Sequence, residues 1–271
     1  MAWDTLYRNV LDVNQADLAL VIGEIPDRYQ NATILSRAKY ILHVPEYEDW
    51  ADAMELIPNK TSNWREKVFS SVPRKSILFG AANGTRGSGA LVFMYRFFTS
   101  EYLIRPHSLT RKYDRFVITR ADHFYYCPHN LSALDPSRIW VPTAENYRGV
   151  CDRHMILNST TVLPALNLLP PILQDPDYFS DILSSVDNTE GFLKRYLIKT
   201  NLWNYVSKVG RQMSVVQTPG DATRWHRRKS QRQPLWNTGL VLKYPSEHHS
   251  VSKSCKENSK AFNLHKRKSS N

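Results

Sequence analysis

Two short apolar runs, each cut off by glycine or proline and each followed by a helical stretch, constrain this chain most. Asp17-Leu18-Ala19-Leu20-Val21-Ile22 has the length and branched content of a buried strand, and Gly23 and Pro26 end it. Residues 31–39 have helical composition, and Tyr40 to Val44 reads as a second strand stopped by Pro45. From Tyr47 to Ile57 the pattern is helical again, with Trp50, Ala53, Met54 and Ile57 spaced to share one face. Strand, helix, strand, helix within 57 residues predicts an α/β layered domain with parallel pairing.

Further along, residues 80–89 form a glycine-rich loop, and Ala90 to Leu103 follows as a nearly all-apolar, buried helix with Ser88 as its N-cap. The loop matches neither a phosphate-binding Gly-Lys-Ser/Thr pattern nor a dinucleotide fingerprint. Two readings of it stay open: a flexible connection, or a helix start that presents N–H groups to a phosphate or sugar. Arg115 to Thr119 is a strand by its β-branched and aromatic content, Ile139 to Val141 is another, and Asp152 to Leu169 reads as mostly helical, broken at Pro164, Pro170 and Pro171.

The net charge of +11 suggests a nucleic-acid binder until it is located. Residues 222–271 hold 12 Lys/Arg against two acids, whereas residues 1–221 hold 24 against 23, so the body is balanced and the excess is terminal. From about Ser246 onward, Ser, Lys, His and Asn dominate, a composition that cannot offset the entropy cost of ordering, so residues 229–271 are expected to be a basic, disordered tail. Aromatic residues are not interleaved with its charges as on a single-strand platform, and no specific nucleic acid is expected. No apolar run approaches the roughly 18–20 residues of a membrane span, so no transmembrane segment is expected. No basic-then-apolar secretory leader is visible at residues 1–15. The three cysteines, Cys127, Cys151 and Cys255, are odd in number and widely spaced, which predicts reduced thiols and a cytoplasmic protein. Five Asn-x-Ser/Thr sequons (Asn31, Asn59, Asn83, Asn130, Asn158) are then chance matches.

Ligand sites in open α/β sheets lie at the carboxyl ends of strands. Asp122, just past the strand Phe116–Thr119, is placed to hold a divalent cation against nucleotide phosphates, with Arg120 sharing the pyrophosphate charge. A surface ion pair between the two is the competing reading. Asp152-Arg153-His154 puts an acid, a base and a histidine side by side; Asp152 is either a helix-start residue or a general base. Asp175-Pro176-Asp177 follows no strand and reads as a turn.

The order of motifs is distinctive. Ala19-Leu20-Val21-Ile22-Gly23 with Pro26 and Arg28 resembles the first strand and nucleotide loop of many GT-A glycosyltransferases. Arg37-Ala38-Lys39-Tyr40, Pro45-Glu46-Tyr47-Glu48-Asp49-Trp50 and Gly87-Ser88-Gly89-Ala90 follow. Next come Tyr113-Asp114-Arg115-Phe116-Val117-Ile118-Thr119-Arg120-Ala121-Asp122-His123-Phe124-Tyr125, Cys127-Pro128-His129 and Ile139-Trp140-Val141-Pro142. Gly149-Val150-Cys151-Asp152-Arg153-His154 and Gly220-Asp221-Ala222-Thr223-Arg224-Trp225 close the series. Over residues 16–228 the chain resembles a glycosyltransferase-like family of unicellular algae and of large DNA viruses that infect them.

The resemblance implies a GT-A-like domain at 16–228, with a mostly parallel central sheet flanked by helices, between an N-terminal leader (1–15) and the tail. It implies a UDP-sugar donor, a glycan or glycoprotein acceptor, a transferred sugar such as xylose, and Mn²⁺ or Mg²⁺ dependence. Arg120-Ala121-Asp122 stands where related enzymes carry Asp-x-Asp, so Asp122 alone would ligate the metal. Gly23, Arg28, Ser88, Arg120 and Arg224 would contact the donor, and Asp152 would take the acceptor proton. The rival expectation is a noncatalytic glycan or polyanion binder that works through its basic tail.

Overall fold

The computed structural model describes residues 2–73, 88–143, 146–220, 233–251 and 253–256. The first α/β unit forms as expected: β1 (Leu18–Ile22) pairs in parallel with β2 (Ala38–His43), and the helix Thr33–Arg37 joins them. Asp49 caps the next helix, Trp50–Ala53, by accepting from the amide of Ala51 at 2.9 Å, and a 3₁₀ turn Met54–Leu56 continues it. Trp50, Ala53, Met54 and Ile57 are all fully buried, so the apolar face read from their spacing is the face that meets the core. The helix Ser88–Phe98, extended by a π-turn Thr99–Ile104, crosses that core with Phe93, Met94, Phe97 and Phe98 buried.

The chain is α/β in the general sense, but the expected mostly parallel central sheet is absent among the described residues. Besides β1–β2 there are two four-stranded sheets. One contains β3 (Arg115–Ile118), β5 (Ile139–Pro142), β6 (Met155–Asn158) and β7 (Val206–Val209), in the order β3-β6-β5-β7. The other contains β4 (His123–Tyr125), β8 (Met213–Gln217), β9 (Gln233–Leu235) and β10 (Leu240–Leu242), in the order β4-β8-β10-β9. Only β1–β2 and β5–β7 pair in parallel, and the other described pairings are antiparallel.

The sequence reading did not anticipate β4 or β6–β10, and β6 falls where the sequence reads as helix. Met155, Ile156 and Leu157 are all fully buried, and a short run apolar on both faces carries no periodicity to separate strand from helix. Of the prolines read as breaks, Pro164 breaks no helix, whereas Pro170-Pro171 do mark one, between the helices ending at Leu166 and starting at Leu169. Pro164 lies inside the helix Val162–Leu166, and Pro170-Pro171 occupy the first turn of Leu169–Gln174, where a missing N–H costs nothing.

Both ends of the chain depart from expectation. Residues 2–14 pack against the fold: helical segments from Ala2 to Asn14 place Leu6, Val10 and Leu11 against Tyr125 and Met213 in a second apolar cluster. Asn9 donates to the Tyr125 carbonyl at 2.8 Å, and Asn14 donates to the His129 carbonyl at 2.8 Å. Nor is 229–271 simply a disordered extension, since β9, β10 and helical turns over 245–251 and 253–256 belong to the fold. Glu247, completely buried, sits between Arg153 (2.9 Å) and Arg211 (3.1 Å) and accepts from the Val215 amide at 2.8 Å. A carboxylate with two guanidiniums and an amide around it is compensated for leaving water, and composition alone does not reveal that. Cys127 and Cys255 form a disulfide with Cα atoms 5.8 Å apart, which overturns the expectation of three reduced thiols; Cys151 remains a buried thiol.

Candidate active site

The antiparallel β3–β6 ladder builds the site. Ile118 lies opposite Met155, so the chain leaving β3 at Thr119-Arg120-Ala121-Asp122 and the chain entering β6 at Asp152-Arg153-His154 emerge side by side. Both open onto a cavity of about 1520 Å³ that also touches β1, β3 and the helix Ser88–Phe98. That is roomier than the ~300–1,000 Å³ of most small-ligand pockets. Arg120, Asp122 and Asp152, singled out from sequence, all line it.

A third carboxylate joins them from an element that sequence reasoning passed over. Asn188 caps the helix Thr189–Lys199 by accepting from the Gly191 amide at 2.7 Å, which puts Glu190 in the first turn. The Glu190 carbonyl accepts from the Val150 amide at 3.1 Å, tying this helix start to the strand-like lead into Asp152. Gly149 is required for that approach, because a Cβ there would overlap the Glu190 carbonyl. Burial, and after it the negative charge of Asp152, push the Glu190 pKa up to about 7. In sequence, Asn188-Thr189-Glu190-Gly191 signals only a capped helix start.

Asp122 is held differently. Arg120 donates to it twice, Nε to Oδ1 at 2.8 Å and Nη2 to Oδ2 at 2.6 Å. Burial works to raise the Asp122 pKa, but the guanidinium prevails and holds it below the usual carboxylate value. The fork takes both oxygens that would face a cation. Among the described residues no three His, Cys, Asp or Glu side chains are grouped to ligate a metal. In this arrangement Asp122 is paired with a guanidinium.

Positive charge also faces this space, as Arg96, Arg115, Arg153 and Lys243 line the cavity, with Asp17 and Asp114 as further acids in its lining. Arg96 is the most telling. It is 4% exposed, its Nη2 donates to the Asp152 carbonyl at 2.6 Å, and among the described residues its buried Nη1 has no hydrogen-bond partner. Burial lowers its pKa. Arg115 likewise leaves Nε and Nη2 unpartnered. Buried unmet donors are costly, and an anionic ligand in the cavity would satisfy them.

Beneath the strand ends lies a second group that the quoted motifs contain but did not reveal. The Thr119 hydroxyl meets His123 Nδ1 (2.9 Å), Tyr125 OH (2.8 Å) and His154 Nδ1 (3.0 Å), and His154 Nε2 meets His129 Nε2 at 3.2 Å. A hydroxyl has one donor and two acceptor sites, so three partners saturate Thr119. Burial drives the His123 pKa down to about 3 and that of His129 to about 4, so these rings are neutral near pH 7. The cluster is a rigid support that fixes Thr119, and through it the adjoining Arg120-Asp122 turn.

No protein-family profile, curated protein or solved structure matches this chain. Of the other sequence-derived contacts, Gly23 and Arg28 do not line the cavity. Gly23 ends β1 outside its lining, with Glu46 where a side chain would go. Arg28 is exposed and stacks on Tyr29, 4.9 Å from the ring centroid. Ser88 begins its helix as expected, while its side chain, the loop 80–87 and Arg224 lie outside the described residues.

Proposed function

We propose that the chain is a glycosyltransferase that moves a sugar from a UDP-sugar to a glycan hydroxyl. The observation that carries the reading is the convergence, in one cavity, of three carboxylates (Asp122, Asp152, Glu190) with buried cations that have donors to spare. Transfer between a nucleotide sugar and an alcohol needs both sets. The departing diphosphate gathers negative charge, which fixed guanidiniums stabilise in a site shielded from water. Arg96, Arg115 and Arg120 would supply that field, with Arg120 oriented by its fork on Asp122. The acceptor hydroxyl must lose a proton, and Asp152 is assigned as the base that takes it. Glu190, whose charge changes near neutral pH, sets the field at Asp152. No step here passes through a metal.

Calorimetry of the whole chain against a panel of UDP-sugars, with and without Mn²⁺, tests the proposal. One sugar nucleotide is expected to bind, and a glycan acceptor to turn it over. No heat with any donor under either condition would overturn it. Deleting residues 229–271 is not a clean test of the polyanion-binding alternative, because that cut removes β9, β10 and Glu247. Salt dependence of polyanion binding by the intact chain tests it instead.

A further inference from the structure

The Cys127–Cys255 bond changes what the five sequons mean, since a structural disulfide forms and persists in an oxidising compartment. Such a compartment in a eukaryotic cell is also where Asn-x-Ser/Thr is read. The fold sorts the four sequons it describes into two kinds. Asn158 is fully used: its Oδ1 accepts from the amides of Thr160 and Thr161 (3.0 and 2.8 Å), and its Nδ2 donates to the Pro136 carbonyl at 2.9 Å. Asn130 caps a short turn, its Oδ1 accepting from the Ser132 amide (3.0 Å) and hydroxyl (2.7 Å), and it lines the cavity, where a glycan would crowd the site. Asn31 and Asn59 are the opposite case. Both are exposed in turns, and among the described residues neither side chain makes a hydrogen bond. Neither lines the cavity, so a bulky group on either would leave the site open.

We infer that the chain matures in an oxidising secretory lumen and carries N-linked glycans on Asn31 and Asn59, while Asn130 and Asn158 stay bare. The donor is a lipid-diphosphate-linked oligosaccharide. Asn Nδ2 attacks its anomeric carbon, the bond from that carbon to the diphosphate oxygen breaks, and Nδ2 gives up one proton as the N-glycosidic bond forms. At both sites the residue two positions on is a threonine, Thr33 and Thr61. A glycan on the Nδ2 of Asn158 would have to displace the Pro136 carbonyl and disrupt the turn that leads into the helix Val162–Leu166.

The test is a peptide map of the protein isolated from the cells that make it, digested without reduction. Treatment with an amide-cleaving glycosidase in heavy-oxygen water converts each glycosylated Asn to labelled Asp. Label at Asn31 and Asn59, none at Asn130 or Asn158, and a Cys127–Cys255 cross-linked peptide are expected. Unlabelled Asn31 and Asn59, or free thiols at both cysteines, would overturn the inference. A second measurement uses the whole chain behind a cleavable leader in secreting eukaryotic cells, on an Asn83→Gln background. Asn31→Gln and Asn59→Gln should each remove one glycosidase-sensitive mobility step. Steps that survive the double substitution would also overturn it. Neither readout depends on glycosyltransferase activity.

Discussion

A single guanidinium, that of Arg120, takes both carboxylate oxygens of Asp122, at 2.8 and 2.6 Å. The two side chains are 41% and 35% exposed, so the pair adds under about 1 kcal/mol to stability, and its use lies in pointing Arg120 into the cavity. Asp122→Asn should therefore fold normally and bind the UDP-sugar about tenfold more weakly. Arg120→Ala should lose about 10–100-fold, the range for a hydrogen bond to a charged group. Calorimetry alongside thermal melts checks both. If Mn²⁺ tightened donor binding in the parent but not in Asp122→Asn, Asp122 would act through a cation and the fork would be only its resting partner.

Glu190 makes stability depend on pH. Its folded-state pKa, about 7, lies above the 4.5 of an exposed glutamate, so the fold favours the protonated form. That contribution is complete below pH ~4 and is lost as pH rises through 7, about 3 kcal/mol in all. Urea unfolding between pH 4.5 and 8 should show the decline, and Glu190→Gln should flatten it. Asp152→Asn, by removing the adjacent negative charge, should shift the decline to lower pH. A slope unchanged in Glu190→Gln would assign it to another group.

Arg96 gives a prediction with two opposite signs. An unpaired buried donor on a charged group destabilises the empty protein, so Arg96→Met should melt at the same temperature as the parent or higher. The same change should weaken pyrophosphate and UDP binding at least tenfold. A variant that is less stable yet binds normally would make Arg96 a structural residue held by the Asp152 carbonyl.

The disulfide spans 128 positions, and closing so long a loop restricts the unfolded chain by about 5 kcal/mol in the entropic account. Cys255→Ser should lower stability by roughly that amount, and reduction of the parent should match it. Denaturant titration with and without reductant reads the difference directly.

The parts of this architecture legible in the sequence are those where one local pattern decides. Leu18–Ile22 and Ala38–His43 are each bounded by glycine or proline, and a helical stretch between them dictates parallel pairing. Asp122 could be found because it follows a strand of clear composition. Asp152 was found for a different reason than its position gives. It precedes β6 and shares the cavity with Asp122 through the antiparallel register of Ile118 on Met155, a long-range pairing that no local window contains. Glu190 reaches the site through one backbone hydrogen bond from Val150, and Glu247 is buried because Arg153 and Arg211 arrive from elsewhere in the chain. Counting charges along 222–271 could not distinguish that carboxylate from a solvated one.

Lys243 and Tyr244, at the rim of the cavity, follow directly on β10, and Glu247 locks that segment beneath Arg153. Closure of the binding chamber thus depends on long-range docking: the strand ends and helix caps alone leave it open until the segment that follows β10 seats beneath Arg153.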